Sequence, residues 1–150
     1  MRILVDADGC PGRSIIEKLA GEYNIPLFLY CDINHNITLS YGEVVVLDKG
    51  YQSVDMCIAN KCIKGDLVIT QDYGLASLIL GKGGIPINPN GMIYTNENID
   101  RLLFERHLSA KARRAGGKTS NHRKRTSNDD EMLYKSIEKI IKNSMENSTY

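Results

Sequence analysis

Asp6 and Asp8 follow directly on the apolar run Ile3-Leu4-Val5, and Gly9, Cys10 and Pro11 follow them. An apolar run ending in two acids reads as a buried strand that hands carboxylates to a loop. In open α/β sheets, ligands bind beyond the carboxyl ends of the strands. The same ending recurs. Val44-Val45-Val46-Leu47 runs into Asp48, and Leu67-Val68-Ile69-Thr70 runs into Gln71-Asp72. Asp55 falls in the first turn of a helix that starts from that edge. Four or five carboxylates on one edge repel one another unless a cation neutralises them. Oxygen-only ligands suit the hard ions Mg²⁺ and Mn²⁺. Such an ion can activate water and offset charge growing on a phosphoryl group. Asp6, Asp8, Asp55 and Asp72 are therefore the candidate metal ligands and catalytic acids. Thr70 is placed to hold an acid or a phosphate. Taken singly, each acid has a plainer role: satisfying loop amides, making a turn, or favouring a helix N-terminus. Asp66 opens its strand, which puts it at the opposite edge and outside the site.

Cys10 lies in the acidic loop. No histidine stands near it in sequence, and surrounding carboxylates raise a thiol's pKa, which argues against a nucleophile. Cys10, Cys31, Cys57 and Cys62 form no Cys-x-x-Cys pair, so buried free thiols are expected rather than disulfides or structural zinc. Gly81, Gly83 and Gly84 follow a helix, whereas phosphate loops precede one, so they read as a turn.

The elements that would position the acids alternate. Strands are expected over 2–6, 26–30, 44–47, 67–70 and 85–87, with a short edge strand over 37–39. Helices are expected from Pro11 to Tyr23, from Ser53 to Lys64, and through Leu75–Leu80. Pro11 suits the first position of its helix. This alternation predicts an α/β fold with a mostly parallel sheet covered on both faces. Thr95 or Asn96 then caps a helix carrying Ile99, Leu102, Leu103, Arg106 and Leu108 that ends at Gly116-Gly117. The expected division is an α/β domain over 1–115, a basic flexible linker over 116–128, and a C-terminal helix over 129–150 that docks on the same domain. Asn128 and Glu131 have capping-box spacing for that last helix.

Charge is uneven. Residues 1–105 carry 8 basic and 13 acidic side chains, whereas 106–125 carry 8 basic and none acidic. An acidic body with one basic segment points to a polyanion reached through that segment. The residues concerned are Arg106, Lys111, Arg113, Arg114, Lys118, Arg123, Lys124 and Arg125. The segment holds no aromatic residue for stacking bases. No run approaches the roughly 18 apolar residues of a membrane span, and no signal peptide is expected. A cytoplasmic protein with no membrane partner is expected. The oligomeric state is left open.

Asp6-Ala7-Asp8 with Cys10-Pro11, Val54-Asp55, and Gly65-Asp66-Leu67-Val68-Ile69-Thr70-Gln71-Asp72 with Leu75-Ala76 together resemble the uncharacterised bacterial YaiI/YqxD family. Asn88–Tyr94 and Arg113-Arg114-Ala115-Gly116 extend the likeness over nearly the whole chain. That family is grouped with PIN-like domains. The resemblance implies a three-layer α/β/α sandwich and an acidic cluster for Mg²⁺ or Mn²⁺. It also implies a metal-dependent nuclease acting on RNA, with single-stranded RNA as the partner. Asp6, Asp55 and Asp72 match the acids that the PIN-like pattern places at strand ends and a helix start. Asp8 is characteristic of the narrower family.

Two other readings compete. A haloacid-dehalogenase-like phosphatase also begins with a strand ending in Asp-x-Asp-Gly, and would use Asp6 as nucleophile and Asp8 as acid. Those enzymes usually place Thr or Val after the Gly, where Cys10 and Pro11 stand here. A PIN-like fold can also persist as a non-catalytic module that binds RNA or protein.

Overall fold

The computed structural model describes residues 1–33, 36–48, 53–117 and 123–148. Five strands, β1 (Ile3–Asp6), β2 (Leu27–Asp32), β3 (Glu43–Leu47), β4 (Leu67–Ile69) and β5 (Ile85–Ile87), form one sheet. Five helices lie around it: α1 (Arg13–Glu22), α2 (Val54–Lys61), α3 (Tyr73–Gly81), α4 (Asn96–Arg114) and α5 (Ser127–Asn147). The strand order is β3-β2-β1-β4-β5, and every pairing is parallel. The chain moves outward from β1 through β2 to β3, then returns to lay β4 on the other side of β1. The order therefore reverses between β1 and β4, where sheets of this kind open a crevice.

Alternation along the strands builds two cores. Ile3, Val5, Leu27, Leu29, Leu67 and Ile69 face α1 and α5. Leu4, Tyr30 and Val68 face α2 and α3. The result is a three-layer α/β/α sandwich. Leu133, Ile137, Ile140 and Ile141 seat α5 in the first core. A smaller cluster of Ala76, Tyr94 and Ile99, with Leu102 and Leu103 beside it, holds α4 against α3. Gly91 lets α5 come close. Its φ is +89°, and a Cβ there would stand 2.6 Å from the Met132 carbonyl oxygen.

Several boundaries differ from the sequence expectation. The first helix starts at Arg13, not Pro11, because Gly12 takes a φ of 83° as its N-cap. A Cβ at Gly12 would lie 2.7 Å from Leu133 Cδ2, so the close approach of α5 leaves room for no side chain at this cap. No strand forms over 37–39. Ile37 and Leu39 instead pack their side chains on the core, and β3 takes the place beside β2. The last helix is capped by Thr126 with Asp129 in a reciprocal box, not by Asn128 with Glu131. Arg123 explains the choice. Its guanidinium donates to both oxygens of Asp129 at 2.7 and 3.1 Å and, with the Thr126 N–H, holds that carboxyl down at about 2. Gly116 ends the α4 region with a φ of +82°, as a glycine stop predicts.

Candidate active site at the carboxyl edge of the sheet

Register brings the first two candidates together. Val5 pairs with Ile69, so Asp6 and Thr70 are the next neighbours across β1 and β4. Leu4 and Val68 face α2 and α3, so Asp6 and Thr70, two residues on, share that face. The Thr70 hydroxyl is fully buried. It donates to Asp6 Oδ2 at 3.0 Å and accepts from the Asp72 N–H at 2.9 Å. One hydroxyl thus ties the acid of β1 to the residue that opens α3. Asp72 caps α3, its Oδ1 accepting from the N–H groups of Gly74 and Leu75 at 2.9 and 3.2 Å. Its other oxygen accepts no hydrogen bond among the described residues. Gln71 Nε2 donates to the Gly9 carbonyl at 2.9 Å and joins the two loops. The Tyr94 hydroxyl donates to the Thr70 carbonyl at 3.2 Å from beneath.

The electrostatics converge on Asp6. Burial pushes its carboxyl up to about 6. The Thr70 hydrogen bond opposes that shift, and the charges of Asp8, Asp72 and Asp55 add to it. Asp8 is exposed in the loop, and Asp55 is half-buried at the start of α2. Among the described residues, no three His, Cys, Asp or Glu side chains stand close enough together to hold one ion at once. The donor chemistry nonetheless fits a hard dication. Every candidate ligand is a carboxylate, and Asp6 is held high by burial and, after it, by the charges of the other three.

Asp48 is exposed beyond β3, the edge strand. It lies two strands, roughly 10 Å, from β1, and it is absent from the charges that act on Asp6. Asp32 belongs to the edge, although the strand expected there stops at residue 30. β2 runs on to Asp32, and Phe28 and Tyr30 place it on the Asp6 face. The signal was there in Cys31, an apolar residue that continues the strand pattern one step past Tyr30. Asp66 sits at the other edge, as its place at the start of the strand requires, and is paired with Arg2 at 2.5 Å.

Cys10 is buried, and burial and then Asp6 push its thiol up to about 12. All four cysteines are buried and unpaired with one another. We therefore expect iodoacetamide at pH 8 to leave all four thiols of the native protein unmodified and to label all four in urea, read by intact mass. Rapid native labelling at Cys10 would mean that the thiol is exposed and activated.

The basic residues divide. Arg106, Arg113, Arg123 and Arg125 line one cleft of about 870 Å³, together with Gln71 and Tyr73 from the β4–α3 turn. Arg123 is held by Asp129. Arg125 donates from Nε to Asp130 Oδ1 at 2.7 Å and from Nη1 to Asn90 Oδ1 at 2.9 Å, and its Nη2 is enclosed without a partner among the described residues. Lys111, Arg114 and Lys124 are exposed away from the cleft lining, and Lys118 lies outside the described residues. Among the described residues, no helix is long and apolar enough to cross a membrane.

Comparison with known proteins places this architecture. A family model described as "Uncharacterized BCR, YaiI/YqxD family" matches residues 4–143. A UPF0178 protein of Clostridium tetani (strain Massachusetts / E88) is 61% identical over 137 residues, covering 91% of this chain and 94% of its own. One from Clostridium novyi (strain NT) is 55% identical over 148 residues, 99% of each chain. One from Ruminiclostridium cellulolyticum is 49% identical over 142 residues, 95% of this chain and 93% of its own. No solved structure matches the chain.

Proposed function

The chain belongs to the YaiI/YqxD family, and on that premise we propose that it is a divalent-metal-dependent nuclease that hydrolyses phosphodiester bonds of single-stranded RNA. The observation that carries the reading is Asp6. Its carboxyl is buried and held at about 6 against the charges of Asp8, Asp72 and Asp55. A fold keeps such a costly group where a cation or a reaction uses it.

Asp6, Asp8, Asp55 and Asp72 would hold the ion, drawn in around it from the wider spacing they have without it. Bound there, Mg²⁺ or Mn²⁺ supplies Lewis acidity toward a phosphoryl oxygen and lowers the pKa of water. The chain's own residues supply orientation. Thr70 fixes one oxygen of Asp6, and the α3 cap fixes one oxygen of Asp72, so both carboxylates are aligned before any ligand arrives. The basic residues of α4 and the segment before α5 would draw in the strand through its phosphates, which makes binding fall steeply with salt. The phosphatase reading would leave a phosphoryl group on Asp6, and Cys10 and Pro11 stand where those enzymes usually place Thr or Val.

The test is cleavage of end-labelled single-stranded RNA and DNA with Mn²⁺, with Mg²⁺ and with chelator, comparing the wild-type chain with Asp72→Asn. Asparagine preserves the N-cap, so the variant isolates the charge. Expected is RNA cutting that needs the ion and falls at least about a hundredfold in the variant. Cutting that persists undiminished in Asp72→Asn, or none from folded wild-type protein with either ion, overturns the proposal.

A further inference from the structure

The arginine cleft has a chemical logic of its own. Two acids line it, and both are already paired: Asp129 with Arg123, and Glu105 with Arg101 at 3.5 Å. Arg106 and Arg113 have no ion pair among the described residues, and both line the same space from positions two turns apart on α4. The cleft therefore carries two uncompensated guanidinium groups, which in its walls call for an anion able to take forked hydrogen bonds. Its size falls within the range of sites that enclose small ligands.

An aromatic wall completes it. Tyr73 follows Asp72 directly and lines the cleft. Its ring is held edge-on against Tyr94, the centroids 5.9 Å apart at 64°, and Tyr94 is itself buried. Asn88 lines the same cleft. Its Oδ1 accepts from the N–H groups of Asn90 and Met92, both at 2.9 Å. The basic segment lacks aromatic residues in sequence, and the fold supplies one from another element.

We propose that this cleft seats one nucleotide of a single-stranded substrate, its base against Tyr73 and its phosphate between Arg106 and Arg113. The proposal rests on the nucleic-acid reading above and deepens it. Because Tyr73 adjoins Asp72, the seated nucleotide flanks the bond presented to the carboxylates, and the cleft sets how far along a strand cutting occurs.

The experiment is run in chelator, so that neither metal nor turnover enters. The probe is a labelled uridine octamer carrying one central 5-iodouridine. Binding is read by fluorescence anisotropy across a potassium chloride series, and photocrosslinks are mapped by mass spectrometry. Expected are a crosslink at Tyr73, about tenfold weaker binding for Tyr73→Leu, and near wild-type binding for Tyr73→Phe. Arg106→Gln and Arg113→Gln should each flatten the slope of log K against log salt by about 0.7. Thermal unfolding of each variant separates lost contacts from lost folding. Crosslinks confined to other residues, or folded Tyr73→Leu and arginine variants that bind as wild type does, overturn the cleft proposal. Wild type that cuts RNA with metal yet ignores the octamer in chelator overturns the cleft alone and leaves the nuclease reading standing. Wild type that neither binds nor cuts overturns both.

Discussion

Asp6→Asn is expected to destroy cleavage and to make the protein more stable. The two effects share one cause. The unfolded Asp6 carboxyl titrates near 3.8, and the folded one is raised to about 6. A carboxyl raised in the folded state binds its proton more tightly there. Folding is therefore unpenalised below about pH 4, loses stability as pH rises from about 4 to 6, and carries the whole penalty above that. A shift of this size corresponds to about 3 kcal/mol, and the partial exposure of Asp6 reduces it to about 2 kcal/mol through solvent screening. Asparagine keeps an oxygen for the Thr70 hydroxyl and removes the charge. At pH 7.5 in chelator, the variant should melt about 6 °C higher than wild type. At pH 4 the two should melt together. Mn²⁺ should raise the melting temperature of wild type and leave that of the variant unchanged, because only a ligand bound to the folded state stabilises it. RNA cutting should fall about a thousandfold. A variant that melts below wild type at pH 7.5 would show that the Asp6 charge is compensated within the fold and that no cation is called for.

That pairing of lost activity with gained stability is what separates a working acid from a supporting one. Sites that do chemistry hold groups in states that the fold alone disfavours. Here the penalty comes from placing Asp6 at the end of a central strand, beneath Asp8, Asp72 and Asp55. The β1–β4 pairing fixes that placement, so it cannot be relieved by a side-chain rotation that keeps the Thr70 hydrogen bond.

The acid edge was legible because strand direction follows from period and alternation. Once Ile3–Val5 and Leu67–Ile69 are read as parallel strands, Asp6 and Asp72 share an edge and Asp66 does not. The register that makes Asp6 and Thr70 neighbours is a tertiary fact, and no local pattern encodes it. Asp32 was hidden by two residues of strand length. Gly12 was hidden by α5. Pro11 is a sound helix start in isolation, whereas Gly12 is the cap at a φ of 83°, packed too close beneath Leu133, more than a hundred residues away, to carry a side chain. The α5 cap shows the same limit. Asn128 and Glu131 have good spacing, yet Asp129 holds the box because Arg123 is there to pair with it. The cleft was half legible. Its arginines stand out as a cluster in the sequence, whereas Tyr73 sits in a different element and joins them only when α4 folds across α3.

Asp66→Ala is expected to do the reverse of Asp6→Asn, costing stability and sparing cleavage. Asp66 is 1% exposed, and all its acceptor capacity is in use. Oδ1 accepts from the backbone N–H and Nε of Arg2, both at 3.2 Å. Oδ2 accepts from Arg2 Nη2 at 2.5 Å and from the Ile63 N–H at 2.9 Å. Arg2 Nη2 also reaches the Lys61 carbonyl at 2.8 Å. One carboxylate thus joins the start of β1, the end of α2 and the start of β4. Alanine leaves two backbone donors and a guanidinium without their acceptor. Breaking a fully buried pair costs roughly 3–5 kcal/mol. The Arg2 side chain is 31% exposed, so water recovers part of that, and about 3 kcal/mol remains. The melting temperature should fall by about 9 °C. Below the melting range, cleavage should match wild type, because Asp66 lies a strand length from the acids at the other edge. A selective loss of cleavage in folded Asp66→Ala would mean that strain passes along β4 into Thr70. Activity tracking only the folded fraction would establish that the two ends of the same short strands divide the work, one holding the sheet together and the other holding charge where a cation can use it.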